Sequence, residues 1–159
     1  MCTGISKQIK SNMNKEVIKE KLFDLQRTII QELEEKINMT HSMVDLDSSD
    51  THDPEDFSHQ YESGEMETLM KVQLNKAKRN LELLEMINFD PKSKAEVGAV
   101  VVTDKTTVFI GFSMIPFETD GRHIIGISKQ APLYPLIIDK REGEKFKYAG
   151  INYSIQYIY

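Results

Sequence analysis

Nine carboxylates (Asp45, Asp47, Asp50, Asp53, Glu55, Asp56, Glu62, Glu65 and Glu67) crowd residues 45–67, and no Lys or Arg stands among them. Carboxylates in such number are costly to bury, so the segment is expected at the surface of whatever the chain folds into. One long helical pattern leads into it and another leads out. The pattern predicts the acidic tip of an antiparallel helical hairpin.

Before the tip, apolar residues recur at Ile18, Leu22, Leu25, Ile29, Leu33 and Ile37, the spacing of one helical stripe. Asn14 is a suitable N-cap with Glu16 in the first turn. Residues 1–13 lack a period and are expected to be a leader. After the tip, Met66, Met70, Leu74, Ala77, Leu81, Leu84 and Ile87 continue the period until Asp90-Pro91, where Pro disfavours helix in the residue before it. Each helix is expected to run for about 25 to 30 residues, roughly 40–45 Å. Matching lengths and stripes predict antiparallel pairing. A two-helix hairpin has little core of its own, so its base should lean on another element.

From residue 91 the period changes. Val97–Val102 and Val108–Ile115 read as strands joined by a Thr103-Asp104-Lys105 turn, and His123–Ile127 reads as a third strand after Thr119-Asp120-Gly121. Residues 131–138 read as a short helix, Arg141–Glu144 as a turn, and Lys145–Tyr148 with Asn152–Tyr159 as a last hairpin about Ala149-Gly150. The expected division is a leader at 1–13, a coiled-coil finger at 14–90 and a sheet domain at 91–159. The fold class is α+β: a helical hairpin followed by a small, mostly antiparallel sheet with one short helix.

Charge narrows the function. Of the net −5, Lys+Arg against Asp+Glu number 0 and 9 in residues 45–67 but 7 and 6 in residues 1–44, 4 and 3 in 68–90, and 9 and 7 in 91–159. A nucleic-acid binder needs the opposite sign, a basic stripe facing phosphates, so tight autonomous nucleic-acid binding is not expected. No apolar run approaches the roughly 20 residues of a membrane span, and residues 1–10 carry no signal-peptide core, which points to the cytoplasm and to no membrane partner. Lone Cys2 supplies neither an internal disulfide nor a zinc cluster. No Gly-rich phosphate loop, Gly-x-Ser-x-Gly elbow or His-Glu-x-x-His is present.

The segment Ile127-Ser128-Lys129-Gln130-Ala131-Pro132-Leu133-Tyr134-Pro135-Leu136-Ile137-Ile138-Asp139-Lys140-Arg141-Glu142-Gly143-Glu144 resembles the signature of the Gre transcript-cleavage factors. In that family a strand ending in Ser leads to Ser/Ala-Pro-Leu, a leucine-rich turn and Lys-x-Gly-Asp/Glu. Tyr153–Tyr159 is similar to the family's last strand. The family's architecture is a coiled-coil finger followed by an FKBP-like domain, so the resemblance spans the chain from about residue 14. Asp139 stands where the family usually has Gly. At the tip, Asp53-Pro54-Glu55-Asp56-Phe57 followed by Tyr61 takes the place of the Gre pattern Asp-Leu-Ser-Glu-Asn followed by Tyr, and Asp-Pro-x-Asp also resembles the tip of the DksA family.

The resemblance implies a transcription elongation factor that enters the secondary channel of RNA polymerase and stimulates the polymerase's own cleavage of backtracked RNA. On this reading the chain is not itself an enzyme, and it acts as a monomer. Asp53 and Asp56 would present Mg²⁺ shared with the polymerase, a cation that takes one or two carboxylates plus water and phosphate oxygens. Asp45, Asp47 and Glu55 are rivals for that role. Ser128, Pro132 and Leu133 are expected to dock on the polymerase. A DksA-like regulator without cleavage activity is the second reading, and a prolyl isomerase lined by Phe109, Phe112, Phe117, Tyr134, Phe146 and Tyr148 the third, although core packing suits those aromatics better. A metal site of the chain's own at His52, Asp53, Asp56 and His59 is a further alternative, and a solvated charge run the plainest one. The stem cations Lys71, Lys76, Lys78 and Arg79 read as a solvated helix face, His123 as structural, and Met39, Met43, Met66 and Met70 as packing near the tip, with an adaptable partner surface second.

Overall fold

Asn14 caps the first helix, its Oδ1 accepting a hydrogen bond from the Glu16 N–H at 3.0 Å. A computed structural model of the chain describes residues 13–47 and 54–159, leaving the side chains of 44–61 and 63 outside that description. Helix α1 spans Lys15–Asp47 and α2 spans Pro54–Met86, 33 residues each.

Both helices are longer than the apolar stripes alone suggest, because they extend into the acidic segment. Pro54 suits the first helical position, its ring fixing φ and its missing N–H needing no partner there. Acids in the turn that follows favour the positive end of the helix dipole. The expected tip at 45–67 is therefore mostly helical, and only residues 48–53 fall between the two helices.

Two cross-helix pairs fix the hairpin register. Glu34 Oε1 lies 2.8 Å from Lys78 Nζ, and His41 Nε2 lies 3.0 Å from Glu67 Oε1. Partner numbers fall on α2 as they rise on α1, so the helices are antiparallel, as expected. Ile37 and Ala77 are buried and Leu33 and Leu74 half-buried along the stripes. Gln26 is also buried, one turn after Leu22, a polar position that the apolar period passes over.

The chain divides into two compact units. Residues 23–82 form one, the distal part of the hairpin. The other joins the residues up to Leu22 with Leu83–Tyr159, so the helix ends at the hairpin base belong with the sheet.

Within this second unit six strands run β1 (Val100–Thr103), β2 (Thr107–Ile110), β3 (Met114–Thr119), β4 (Arg122–Ile127), β5 (Lys145–Tyr148) and β6 (Ile151–Ile158). Helix α3 (Tyr134–Ile137) lies between β4 and β5. Their order across the sheet is β3-β4-β2-β1-β6-β5. All neighbours are antiparallel except β2 and β4, which pair parallel from Thr107 opposite Ile124 to Ile110 opposite Ile127.

That parallel pair follows from a break in the expected strand Val108–Ile115. After β2 the Gly111 N–H makes a last bond to Ile127 O at 2.9 Å, and the chain then re-enters as β3 two strand positions farther out. Pro116 belongs on such an edge, where its missing N–H costs no ladder bond. Asp120 (φ 51°) and Gly121 (φ 68°) then turn the chain back, the left-handed pair that suits a tight hairpin, and β4 fills the gap between β3 and β2.

All four residues of β1 and of β2 are buried, so both faces of these central strands are covered. One face carries Val101, Val108 and Ile110 with Leu133, Ile137, Phe146, Ile155 and Ile158. On the other, Phe109 stacks parallel on Phe89 at 5.9 Å and meets Phe112 edge-on at 6.0 Å. Here the backbone just after α2 comes so close that a Cβ on Gly98 (φ 91°) would lie 2.1 Å from Asn88 O, which only glycine accommodates.

Candidate functional site

The acids singled out by the sequence fall at the two helix ends that face each other along the chain. Asp45 and Asp47 lie in the last turn of α1, while Glu55 and Asp56 lie in the first turn of α2. Asp53, like His52, lies outside the described residues, and so do the side chains of Asp45, Asp47, Glu55, Asp56 and His59. Helix electrostatics separates the two groups. Asp45 and Asp47 sit at the negative end of a dipole, with no basic residue in that last turn, whereas Glu55 and Asp56 sit at a positive end. Asp53 immediately precedes Pro54 in sequence, and Asp is a favoured residue type before a first helical Pro.

Behind the tip, the hairpin has two unlike flanks. On one, Glu67 accepts from both His41 and Lys71, and Glu34 pairs with Lys78. The Lys71 ammonium is the first cause of a Glu67 carboxyl held below the usual glutamate range, and His41 adds to it. Of the stem cations, Lys78 reaches across to the other helix, while Lys71 pairs along its own; both keep a largely solvated side chain. On the other flank, Met39, Met43, Met66 and Leu69 stand exposed. The expectation that the methionines pack in the core holds in part only for half-buried Met70. Met39 and Met43 are displaced by one or two positions from the Leu33–Ile37 stripe, a signal present in the spacing.

In the sheet domain, the segment after β4 is held by local bonds. Ser128 Oγ accepts from Gln130 N–H at 3.3 Å and Ser128 O from Ala131 N–H at 3.1 Å. Pro132 is exposed, but Leu133 is buried in the core cluster and anchors the segment from within. Asp139 takes the left-handed conformation (φ 63°) that glycine would adopt without strain. Its N–H donates to Ala95 O at 2.8 Å and its carboxylate meets Lys94 Nζ at 2.8 Å. This hydrogen bond is the main reason the Lys94 ammonium is held above its ordinary pKa.

The aromatics considered for an isomerase pocket do not converge. Phe146 belongs to the core cluster, against which Tyr134 and Tyr148 pack, while Phe109 and Phe112 belong to the stack with Phe89. Among the described residues no group of three or more His, Cys, Asp or Glu could hold a metal, and no helix is long and apolar enough to cross a membrane.

No protein-family model and no curated protein matches the chain. Among solved structures it is similar to GreA factor homolog 1 (Gfh1) of Thermus thermophilus, at 13% identity and a TM-score of 0.34 over 86% of this chain and 94% of that one. A likeness so low leaves the reading to rest on the chain's own residues.

Proposed function

We propose that this chain is a transcription elongation factor that binds RNA polymerase, inserts its hairpin into the secondary channel and stimulates cleavage of backtracked RNA. The observation that carries the reading is the joint order of parts in one chain: an antiparallel hairpin with acids at its far end, then a sheet domain bearing the Gre-like segment 127–144. Asp53 and Asp56 are the acids proposed to present Mg²⁺ beside the polymerase's own metal, where the cation would help orient and deprotonate a water for attack on the phosphodiester. The polymerase supplies the RNA and the remaining catalytic groups, so the chain is a cofactor of that reaction, acting as a monomer.

A DksA-like regulator is the second reading. It is favoured by Asp53-Pro54-Glu55-Asp56, where the sequence departs most from the Gre tip. A stalled, backtracked polymerase separates the two. Shortened RNA with the wild type, lost in Asp53→Ala/Asp56→Ala, supports cleavage. Binding without shortening at every Mg²⁺ level supports the regulator and removes the cleavage reading.

A further inference from the structure

The exposed apolar residues near the tip are not scattered. The His41–Glu67 pair sets residues whose numbers add to 108 at one level of the hairpin, so Met39 stands level with Leu69, and Met43 with Glu65 beside Met66. At 3.6 residues per turn, His41, Glu34, Glu67, Lys71 and Lys78 all lie on the flank where their ion pairs form, and Met39, Met43, Met66 and Leu69 all lie on the opposite one. These four side chains are 62%, 67%, 63% and 58% exposed. Four large apolar groups at two adjacent levels and on one side form a patch of the kind that marks a docking surface, and methionine adapts its shape to what it meets.

Charge selects the occupant. Exposed Glu62 and Glu65 lie beside the patch, and the sequence from Asp45 to Asp56 adds six more carboxylates with no Lys or Arg among them. Phosphates of a nucleic acid would be repelled there. A second copy would bring two such acidic ends together, and four side chains fall short of the roughly 800 Å² per partner of a stable protein interface. A protein that encloses the hairpin adds area on its other sides and can offer cations to the acids. We infer that the Met39–Met43–Met66–Leu69 flank docks against an apolar wall inside a cleft of RNA polymerase whose rim or depth is basic, an inference that rests on the polymerase being the partner.

The test uses the full chain and purified RNA polymerase. Met39→Gln/Met66→Gln/Leu69→Gln should weaken binding about tenfold or more, the loss of at least about 1.4 kcal/mol, while helical content and melting temperature are kept. Asn38→Gln/Asn75→Gln, exposed on the ion-paired side, should bind as the wild type does. If the wild type binds and the triple variant binds equally well, the patch inference is overturned and the polymerase reading stands. If the wild type does not bind polymerase, both fall. A wild-type dimer in sedimentation that the triple variant dissolves would overturn the inference in favour of a second copy.

Discussion

His41 on α1 and Glu67 on α2 lie 3.0 Å apart, and Lys71 Nζ reaches the same Glu67 oxygen. Bonded by the Lys71 ammonium, with His41 beside it, the Glu67 carboxyl is held below the usual glutamate range in the folded hairpin. Since its folded pKa is depressed, its contribution is present above the unfolded value of about 4.3 and is lost as pH falls through the lower folded value. Glu67→Gln should therefore melt below the wild type at pH 7 in low salt, with the gap closing towards pH 3 and shrinking at high ionic strength. Melting curves across pH and salt check this, and an equal gap at pH 3 and pH 7 would refute it.

Lys15 behaves in the opposite sense. Burial, then repulsion from Lys92, lowers its pKa to about 8, although its Nζ donates to Asp90 O at 2.8 Å. Its charged form is disfavoured in the fold, so the full cost applies below pH 8 and fades as pH rises towards the unfolded value of about 10.4. Stability should rise between pH 8 and 10 by on the order of 1–2 kcal/mol, discounted for the solvent that screens a half-exposed ammonium. Lys15→Met should flatten that rise, as denaturant unfolding at pH 7, 8, 9 and 10 would show.

The tip acids should divide by helix end. Asp45→Asn/Asp47→Asn removes charge from the negative end of α1 and should raise stability by about 0.3–1 kcal/mol per residue at low salt. Glu55→Gln/Asp56→Asn removes charge from the positive end of α2 and should lower it by a similar amount. On repulsion alone, every neutralisation at an acidic tip would stabilise. Chemical denaturation of the two pairs tells the dipole effect from simple repulsion.

The elements that local chemistry specifies were legible in the sequence. Asn14 with Glu16 marked the start of α1, Asp120-Gly121 and Ala149-Gly150 marked two turns with positive φ, and the apolar periods marked the hairpin stripes. What needed the whole fold was harder to see. Val108–Ile115 looks continuous because Phe112 and Ile115 extend the apolar run, yet the ladder ends at Gly111 and Pro116 belongs to an edge, so one strand became two. The acidic run hid the helix ends because charge marks exposure and says nothing about backbone conformation. Leu133, expected at a docking surface, lies in the core cluster, a burial that the local spacing of residues 127–144 does not report. Asp139 takes a left-handed conformation (φ 63°) that its residue type alone does not announce, with Lys94 and Ala95 holding it there.

The proposed function requires the far end of the hairpin to reach the polymerase's active centre. The most direct test places a photo-crosslinking residue at position 53 of the full chain and illuminates its complex with a backtracked polymerase. Crosslinks to the RNA 3′ end and to polymerase residues around the catalytic metal are the expected result. Crosslinks confined to the outer surface of the polymerase, with the complex demonstrably formed, would contradict it.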